Sequence, residues 1–468
     1  MLLKNTIYSS INSTLRFFAS ALLYIILARA LGVEEFGRFM FALSFTGIFL
    51  TFIDYGFNLL IVKEVSQKPE SLKNWVSSII NAKILLSIAF TIILIITLKI
   101  LKYPDDTLLI VGILWLSVIF YSFGFFFNNV FRGLNQFQYE TYPTILLNAA
   151  QFVIVGVFLL LGFKTLSVAI AYLLARMFYF AYSSYLLSSK VSKIPIAYNL
   201  SESIKSLKIA LPYGIHAILA TLYFQIDTVF LSYFKGNAEV GYYQASMRIL
   251  MATMIVYEVI GSAFFPILSK SYNNPNELKK KSIMLNEYMI FFGGSILTFF
   301  FVYSEFVMNL LYGEKYNYSV NIMKLLSVVI FLRFIASGYA ILLTITGEQK
   351  TRAFIVIIST MISAISNLIL IPKFNAIGAA IANIITHIVL ATLCIGYGVK
   401  VTRDAFFYNN RKLLLMLVVI FLVCYFIKGL TLYFSLFLYI FLTVFSFFRI
   451  LNIRKINKKI LSQLTIGG

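Results

Sequence analysis

The sequence has few charged residues, cysteines, prolines and tryptophans. Only 12% of its 468 residues are charged, and it contains 2 cysteines, 8 prolines and 2 tryptophans. Cys394 and Cys424 both fall in apolar runs, so they indicate neither a disulfide framework nor a metal site. The sequence also has no phosphate-binding loop, no zinc-protease motif and no pair of closely spaced cysteines. We therefore expect neither an enzyme nor a resident cofactor or metal.

Acidic residues are scarce as well, with 18 against 39 basic residues and a net charge of +21. A basic excess of this size can indicate nucleic-acid binding, but here the lysines and arginines lie in short loops between apolar runs. No nucleic-acid partner is therefore predicted. Because 60% of the residues are hydrophobic and 17% are aromatic, the composition predicts an all-α polytopic membrane protein.

Fourteen apolar runs approach the roughly 20 residues that a helix needs to cross a bilayer. They are 8–30, 39–62, 78–98, 107–128, 142–162, 166–187, 210–234, 243–266, 283–303, 320–345, 354–371, 377–399, 411–427 and 430–448. An even number of spans puts both termini on one side. The loops on that side, counted with Arg411 and Lys412 at the start of a span, hold 24 of the 39 basic residues. The positive-inside rule then predicts a multi-pass protein of the inner (cytoplasmic) membrane with both termini cytoplasmic.

Several residues recur at a distance of 204 positions. Gly32, Glu35, Gly37 and Asp54 correspond to Gly236, Glu239, Gly241 and Glu258. We therefore expect two pseudo-symmetric six-helix lobes, 1–200 and 201–405, and an additional helix pair with a basic cytoplasmic tail in 406–468. Parallel repeats of six spans are typical of transporters whose substrate site lies between the halves. A monomer is expected.

Apart from Arg29, Arg411 and Lys412, which lie at the very ends of spans, ten charged residues fall inside the predicted spans. They are Arg16, Lys83, Arg176, Arg248, Lys324, Arg333, Asp54, Asp227, Glu258 and Glu287. A charge at the bilayer centre costs about 2.5–3.5 kcal/mol, so most of them must line water or pair internally. The predicted cavity residues are Arg16, Asp54, Asn58, Arg248, Glu258 and Arg333. The alternative is internal pairing that only holds helices together.

Helical spacing groups some of these residues. Asp54 is predicted to share one polar helix face with Ser44, Gly47, Thr51 and Asn58. Lys83 and Arg176 are instead predicted to extend their side chains to the membrane surface.

Two histidines leave an ion-coupling role open. His216, His387 and the nearby Asp227 are the candidates, since histidine titrates near neutral pH. A buried, hydrogen-bonded imidazole is the alternative. Between the lobes, 201–212 has the pattern of an amphipathic surface helix, and a solvated linker capped at Ser201 or Ser203 is equally compatible.

Four motifs resemble those of the polysaccharide (O-antigen) flippases of the MOP superfamily, which are related to lipid II flippases and MATE exporters. They are Ala28-Arg29-Ala30-Leu31-Gly32 with Phe36-Gly37, Asp54-Tyr55-Gly56, Phe131-Arg132-Gly133-Leu134 and Ile377-Gly378-Ala379-Ala380. The resemblance implies two six-helix lobes that open alternately to either side. It implies transport of a polyprenyl-pyrophosphate-linked oligosaccharide for O-antigen, capsule or a teichoic-type polymer, in contact with membrane lipids.

The same resemblance leaves open a proton or sodium gradient as the energy source and the polymerase machinery as a partner. Two other functions remain as alternatives. A MATE-like drug or cation antiporter would favour acidic residues in its cavity, whereas six of the ten charges in the spans are basic. An integral membrane glycosyltransferase or polymerase would want a larger external loop than any in this sequence.

Overall fold

The computed structural model describes residues 19–162, 164–191, 199–402, 406–429 and 432–451. Within these ranges the regular structure is entirely helical. The α-helices are α1 (Ala19–Leu31), α2 (Val33–Asp54), α3 (Phe57–Gln67), α4 (Leu72–Ile100), α5 (Asp105–Gly133), α6 (Phe137–Leu160), α7 (Thr165–Lys190), α8 (Leu200–Lys235), α9 (Asn237–Lys270), α10 (Pro275–Val302), α11 (Ser304–Tyr312), α12 (Ser319–Ile345), α13 (Gln349–Thr402), α14 (Phe406–Ile427) and α15 (Leu432–Leu451). Two 3-10 turns, Pro69–Ser71 and Glu314–Tyr316, lie before α4 and α12.

The described residues contain 11 helical segments that are long and apolar enough to cross a membrane. One of them is α13, whose 54 residues cover two predicted spans. It breaks at Asn375, where φ is 56°, and a Cβ on Gly378 would lie only 2.3 Å from the carbonyl oxygen of Leu370. Residues eight apart on a straight helix are about 12 Å apart, so the chain turns back here. With α1 and the apolar part of α15, every predicted span has a helical counterpart, which confirms an all-α polytopic membrane protein.

The predicted span 39–62 is wrong as one continuous helix. It is divided into α2 and α3 by Tyr55 and Gly56, whose φ angles are 42° and 78°. A Cβ on Gly56 would lie 2.6 Å from the backbone nitrogen of Gly214 in α8. The break therefore lies where two backbones approach closely, a position that glycine alone fills without strain.

The helices form two compact units. The first comprises the described residues of 19–252 together with Asn309–Ile322 and Val356–Thr386. One of its apolar clusters joins α3, α4, α5 and α7 through buried aromatic and branched side chains, such as Phe57, Ile79 and Phe131. Burial of these side chains is the main force that holds the four helices together.

The second unit comprises Thr253–Met308, Met323–Ile355 and the described residues from His387 onward. In it, α10 packs against α14 and α15. The hydroxyl of Tyr303 lies 2.6 Å from Ser435 Oγ, and the hydroxyl of Tyr439 donates to the carbonyl oxygen of Ser295 at 2.8 Å. The outer face of α15 is strongly exposed and apolar, as expected of a helix that contacts lipid.

Residues 201–212, predicted as an amphipathic surface helix or a solvated linker, do not form a separate surface helix. They form the first turns of α8, which runs for 36 residues. The N-cap is Asn199, whose Oδ1 accepts a hydrogen bond from the backbone N–H of Glu202 at 3.2 Å, rather than either predicted serine.

The duplicated glycine turns contact each other within the first unit. A Cβ on Gly37 would lie 1.8 Å from the carbonyl oxygen of Asn237, and a Cβ on Gly241 would lie 2.1 Å from that of Val33. The contact is reciprocal because each glycine meets the first residue of the other helix. The starts of α2 and α9 therefore cross at a distance that permits no side chain.

Candidate functional site

Two arginines of the first unit lie near one buried tyrosine. Arg176 on α7 places its guanidinium carbon 5.1 Å from the ring centre of Tyr121 and 5.6 Å from that of Tyr172. Arg248 on α9 lies 4.5 Å above the ring of Tyr24. Tyr172 interacts electrostatically with both arginines and with Tyr24. We call Tyr24, Tyr172, Arg176 and Arg248 the arginine–tyrosine cluster.

The two guanidinium groups have no carboxylate partner among the described residues. None of the ion pairs found there includes Arg176 or Arg248. Arg176 Nη1 donates to Ser117 Oγ at 3.0 Å, but the Nε atoms of both arginines are buried without a hydrogen-bond partner. Buried charges are ordinarily paired, because an unpaired one is costly to desolvate. The cluster is therefore suited to an anion.

The sequence located only part of this cluster. Arg248 was among the predicted cavity residues. The predicted extension of Arg176 to the membrane surface is wrong, since its side chain packs among tyrosines near the middle of α7. Its position in the middle of the predicted span 166–187 was the available signal. Predicted Arg16 lies outside the described residues, and Arg333 is half-buried in the second unit.

Asp54 forms an ion pair with Lys83, whose position was predicted incorrectly from the sequence. Lys83 Nζ lies 2.6 Å from Asp54 Oδ1 and 2.7 Å from Ser122 Oγ, and Ser122 Oγ also donates to Asp54 Oδ1 at 2.6 Å. The lysine is fully buried and lies 5.5 Å from the ring centre of Phe123. The predicted extension of Lys83 to the surface is therefore wrong. The pair joins α2 to α4 and α5, and it neutralises the aspartate.

Asn58 does not share a helix face with Asp54, because the break at Tyr55 and Gly56 separates them. Its amide oxygen is buried and has no hydrogen-bond partner among the described residues. Glu258, the counterpart of Asp54 in the repeat, is exposed on α9. The sequence repeat therefore does not give the two acids the same surroundings.

Asp227 is the centre of a buried polar network in the first unit. The hydroxyl of Tyr243 and the amide nitrogen of Asn383 both donate to Asp227 Oδ2, the latter at 3.0 Å, and Asn383 also donates to Tyr243 Oη at 2.8 Å. The backbone N–H of Thr228 donates to Asp227 Oδ1 at 2.9 Å. These contacts join α8, α9 and the part of α13 that follows its break at Asn375. The network can hold a proton or a small cation at the carboxylate.

Of the two histidine candidates, the structure describes the side chain of His387 only. His387 lies one turn after Asn383 on α13 and is buried. His216 lies on α8, and its side chain is outside the described set. Tyr243 and Asn383 were not predicted, because their contacts with Asp227 span up to 156 residues of sequence.

Further contacts lie around the glycine crossing. Arg29 donates from Nε to the carbonyl oxygen of Leu311 at 2.6 Å and from Nη2 to that of Leu310 at 2.5 Å, so it caps the C-terminal end of α11. Glu35 accepts from the hydroxyl of Thr165 at the start of α7, and its repeat counterpart Glu239 accepts from the backbone N–H of Ala376 at 2.9 Å. These hydrogen bonds join α1 to α11, α2 to α7 and α9 to α13.

Comparison with known proteins identifies relatives over most of the chain. The family described as "Polysaccharide biosynthesis protein" matches residues 2–272, and the family described as "MatE" matches residues 212–369. A putative O-antigen transporter of Escherichia coli (strain K12) is 25% identical over 434 residues, which are 88% of this chain and 97% of that protein. The capsular polysaccharide biosynthesis protein CapF of Staphylococcus aureus is 25% identical over 406 residues, which are 83% of this chain and 97% of CapF.

Among solved structures, the lipid II flippase MurJ in an inward closed conformation matches with a TM-score of 0.77 at 16% identity. The match covers 96% of this chain and 99% of MurJ. An inward-facing MATE family multidrug resistance transporter of the MOP superfamily matches with a TM-score of 0.66 at 16% identity, covering 86% of this chain and 99% of that one. At this level of identity the likeness establishes a shared fold.

Proposed function

This chain belongs to the polysaccharide biosynthesis protein family, and from that premise we propose that it is a flippase for a polyprenyl-diphosphate-linked oligosaccharide. It would move the head group from the cytoplasmic to the outer leaflet of the cytoplasmic membrane by alternating access. The observation that carries the proposal is the arginine–tyrosine cluster, with two half-buried arginines whose buried Nε atoms have no hydrogen-bond partner and whose guanidinium groups have no carboxylate partner among the described residues. Guanidinium binds phosphate oxygens through paired hydrogen bonds, so a diphosphate supplies the missing counter-charge.

The other parts of the substrate also have candidate contacts. The buried amide oxygen of Asn58 can accept a hydrogen bond from a sugar hydroxyl. The exposed apolar face of α15, with Phe437, Phe441 and Phe445 at successive turns, suits a polyprenyl tail that stays in the bilayer. Relatives named as an O-antigen transporter and a capsular polysaccharide biosynthesis protein support a polysaccharide unit as the cargo.

Transport against a gradient needs a source of energy, and the Asp227 network is the proposed coupling site. Release and return of a proton or a sodium ion at Asp227 would change its hydrogen bonds with Tyr243 and Asn383. Because those bonds join three helices, the occupied and empty forms would favour different helix arrangements. His387 and His216 stay secondary candidates for coupling. The cytoplasmic position of both termini and the division into lobes 1–200 and 201–405 stay predictions.

A MATE-like cation exporter is the nearest rival, since the MatE family matches residues 212–369. A cation cargo would favour an acidic site free of basic neighbours. Asp227 has no basic partner among the described residues, but its carboxylate is already held by the hydrogen bonds of its network. Lys83 neutralises Asp54, whereas Arg176 and Arg248 have no acidic partner among the described residues. The charges therefore favour an anionic head group.

The test uses a deletion strain and purified protein in liposomes. We expect the strain to lose its surface polysaccharide and to accumulate lipid-linked repeat units in the inner leaflet. Arg176→Ala and Arg248→Ala should each reduce flipping at least tenfold, because a hydrogen bond to a charged group contributes about 1.5–3 kcal/mol. Arg38→Ala is the matched control, since Arg38 pairs with Glu35 at 3.1 Å.

Two results would overturn the proposal. Normal surface polysaccharide in the deletion strain would remove the function. Full activity of both arginine variants at normal protein levels would remove the proposed diphosphate site. Faster export of a cationic dye than of a lipid-linked sugar would favour the rival instead.

A further inference from the structure

A polar cavity of 580 Å³ lies between the first turns of α4 and α8 in the first unit. Asn74, Trp75 and Ser78 line it from α4, and Asn199, Glu202 and Lys205 line it from the start of α8. Its volume falls within the range of about 300–1,000 Å³ that is usual for small-molecule sites. None of the residues that line it belongs to the arginine–tyrosine cluster, and the proposed function leaves the cavity without a role.

Buried serines fix the walls of this cavity. Ser78 Oγ lies 2.6 Å from Ser206 Oγ and donates to the carbonyl oxygen of Glu202 at 2.8 Å. Ser203 Oγ approaches the carbonyl oxygen of Ser78 at 3.3 Å. All three serines are buried. The ends of α4 and α8 are therefore held together by direct polar contacts, and the cavity is preformed.

The residues that line the cavity are polar except for one aromatic side chain, Trp75. Of the nine residues that line the cavity, eight are polar and the ninth is Trp75. Trp75 also packs against the apolar cluster of the first unit, which holds the indole in place. Glu202 and Lys205, whose charged atoms are 3.9 Å apart, balance each other at the rim. The cavity thus offers amides, hydroxyls and one ring face without net charge.

This combination selects a class of ligand. The cavity has no arginine, and its one lysine, Lys205, already lies beside Glu202, so a phosphate would lack a free cationic partner. Among the described residues no group of histidine, cysteine or acidic side chains could hold a metal ion. A sugar ring has an apolar face that stacks on an aromatic ring and a rim of hydroxyls that exchange hydrogen bonds with amides and serines.

We propose that this cavity binds a sugar ring of the lipid-linked oligosaccharide at the cytoplasmic face, before the head group crosses. The inference rests on the proposed function and on the predicted topology, in which 63–77 and 188–208 lie on the cytoplasmic side of the membrane. In this role Trp75 stacks on the ring, Asn74 and Asn199 hydrogen-bond its hydroxyls, and Ser78 keeps the two helices in register. The cavity then selects the sugar, while the arginines bind the diphosphate.

Intrinsic fluorescence tests the proposal directly, because the chain has only 2 tryptophans. Trp115 is buried beside Phe49, so a Trp115→Phe protein reports on Trp75 alone. The probe is the repeat-unit oligosaccharide released by mild hydrolysis from the strain's own surface polysaccharide. We expect a saturable change in Trp75 emission, weakened about fivefold to tenfold by Asn74→Ala through loss of a hydrogen bond. Lys73→Ala, next to the cavity but not lining it, should bind like the parent.

The controls separate this inference from the proposed function. If Trp115→Phe is poorly folded, the difference between the wild-type protein and Trp75→Phe gives the same signal. The absence of any saturable change, or equal binding by Asn74→Ala and Lys73→Ala, would overturn the sugar site. When that happens in a strain whose polysaccharide still depends on the gene, only this inference fails. Unchanged polysaccharide in the deletion strain would instead remove the proposed function.

Discussion

The crossing of α2 and α9 makes a quantitative prediction for Gly37→Ala. The new Cβ would lie 1.8 Å from the carbonyl oxygen of Asn237, and 2.7 Å from the backbone nitrogen of Gly241. Both neighbours are backbone atoms, so no side-chain rotation relieves the overlap and one helix start must move. Overpacking of this kind costs about 1–3 kcal/mol, and the upper end applies here. The gain in helix propensity offsets about 1 kcal/mol of it.

The substitution should therefore destabilise the state in which the two helix starts touch by about 2 kcal/mol. This corresponds to a decrease of about 30-fold in the equilibrium constant for that state. Gly47→Ala is the matched control, because it lies on the same helix and a Cβ there has nothing within 4 Å. The assay is the midpoint of heat-induced loss of folded protein in detergent, with flipping in liposomes measured in parallel. The midpoint should fall for Gly37→Ala and stay level or rise for Gly47→Ala. A midpoint for Gly37→Ala equal to that of Gly47→Ala would refute the close approach.

Further predictions concern neighbouring contacts. The double variant Gly37→Ala/Gly241→Ala should lose less stability than the two single variants lose together, because one displacement of α2 from α9 relieves both overlaps. Shifts of the unfolding midpoint that add exactly would show that the two overlaps are independent. Lys83→Met should lower stability by about 3–5 kcal/mol by leaving Asp54 unpaired, and Asp54→Asn in the same chain should restore most of it; a double variant as unstable as Lys83→Met would contradict the pairing. Arg29→Ala should cost about 0.3–2 kcal/mol by uncapping α11 and should speed proteolysis there, whereas Arg38→Ala should leave that rate unchanged. Asn383→Ala should change the pH or sodium dependence of flipping more than its maximal rate, and an unaltered dependence would exclude Asp227 as the coupling group.

The sequence predicts the helices of this protein better than their interactions. Long apolar runs reveal the spans, since a bilayer imposes length and hydrophobicity on every helix that crosses it. The break at Tyr55 and Gly56 stays hidden because its cause, the backbone of Gly214, is far away in the chain. The break at Asn375 was expected, since a short polar loop separates two apolar runs.

Buried charges show the same limit. Hydropathy indicates that Asp54, Lys83 and Arg176 lie in spans, but it does not indicate which of them meet. Helix rotation decides that Lys83 meets Asp54 and that Arg176 meets tyrosines, and rotation depends on packing by side chains from several helices. The candidate site could therefore be predicted as a set of charges but not as an arrangement.

The serine contacts between α4 and α8 have a mechanical consequence. Since Ser78 binds Ser206 and the backbone of Glu202, the first turns of α8 are fastened to α4. This end of α8 should therefore move together with α4. Bending of α8 should then concentrate at Pro212, which lacks a backbone N–H.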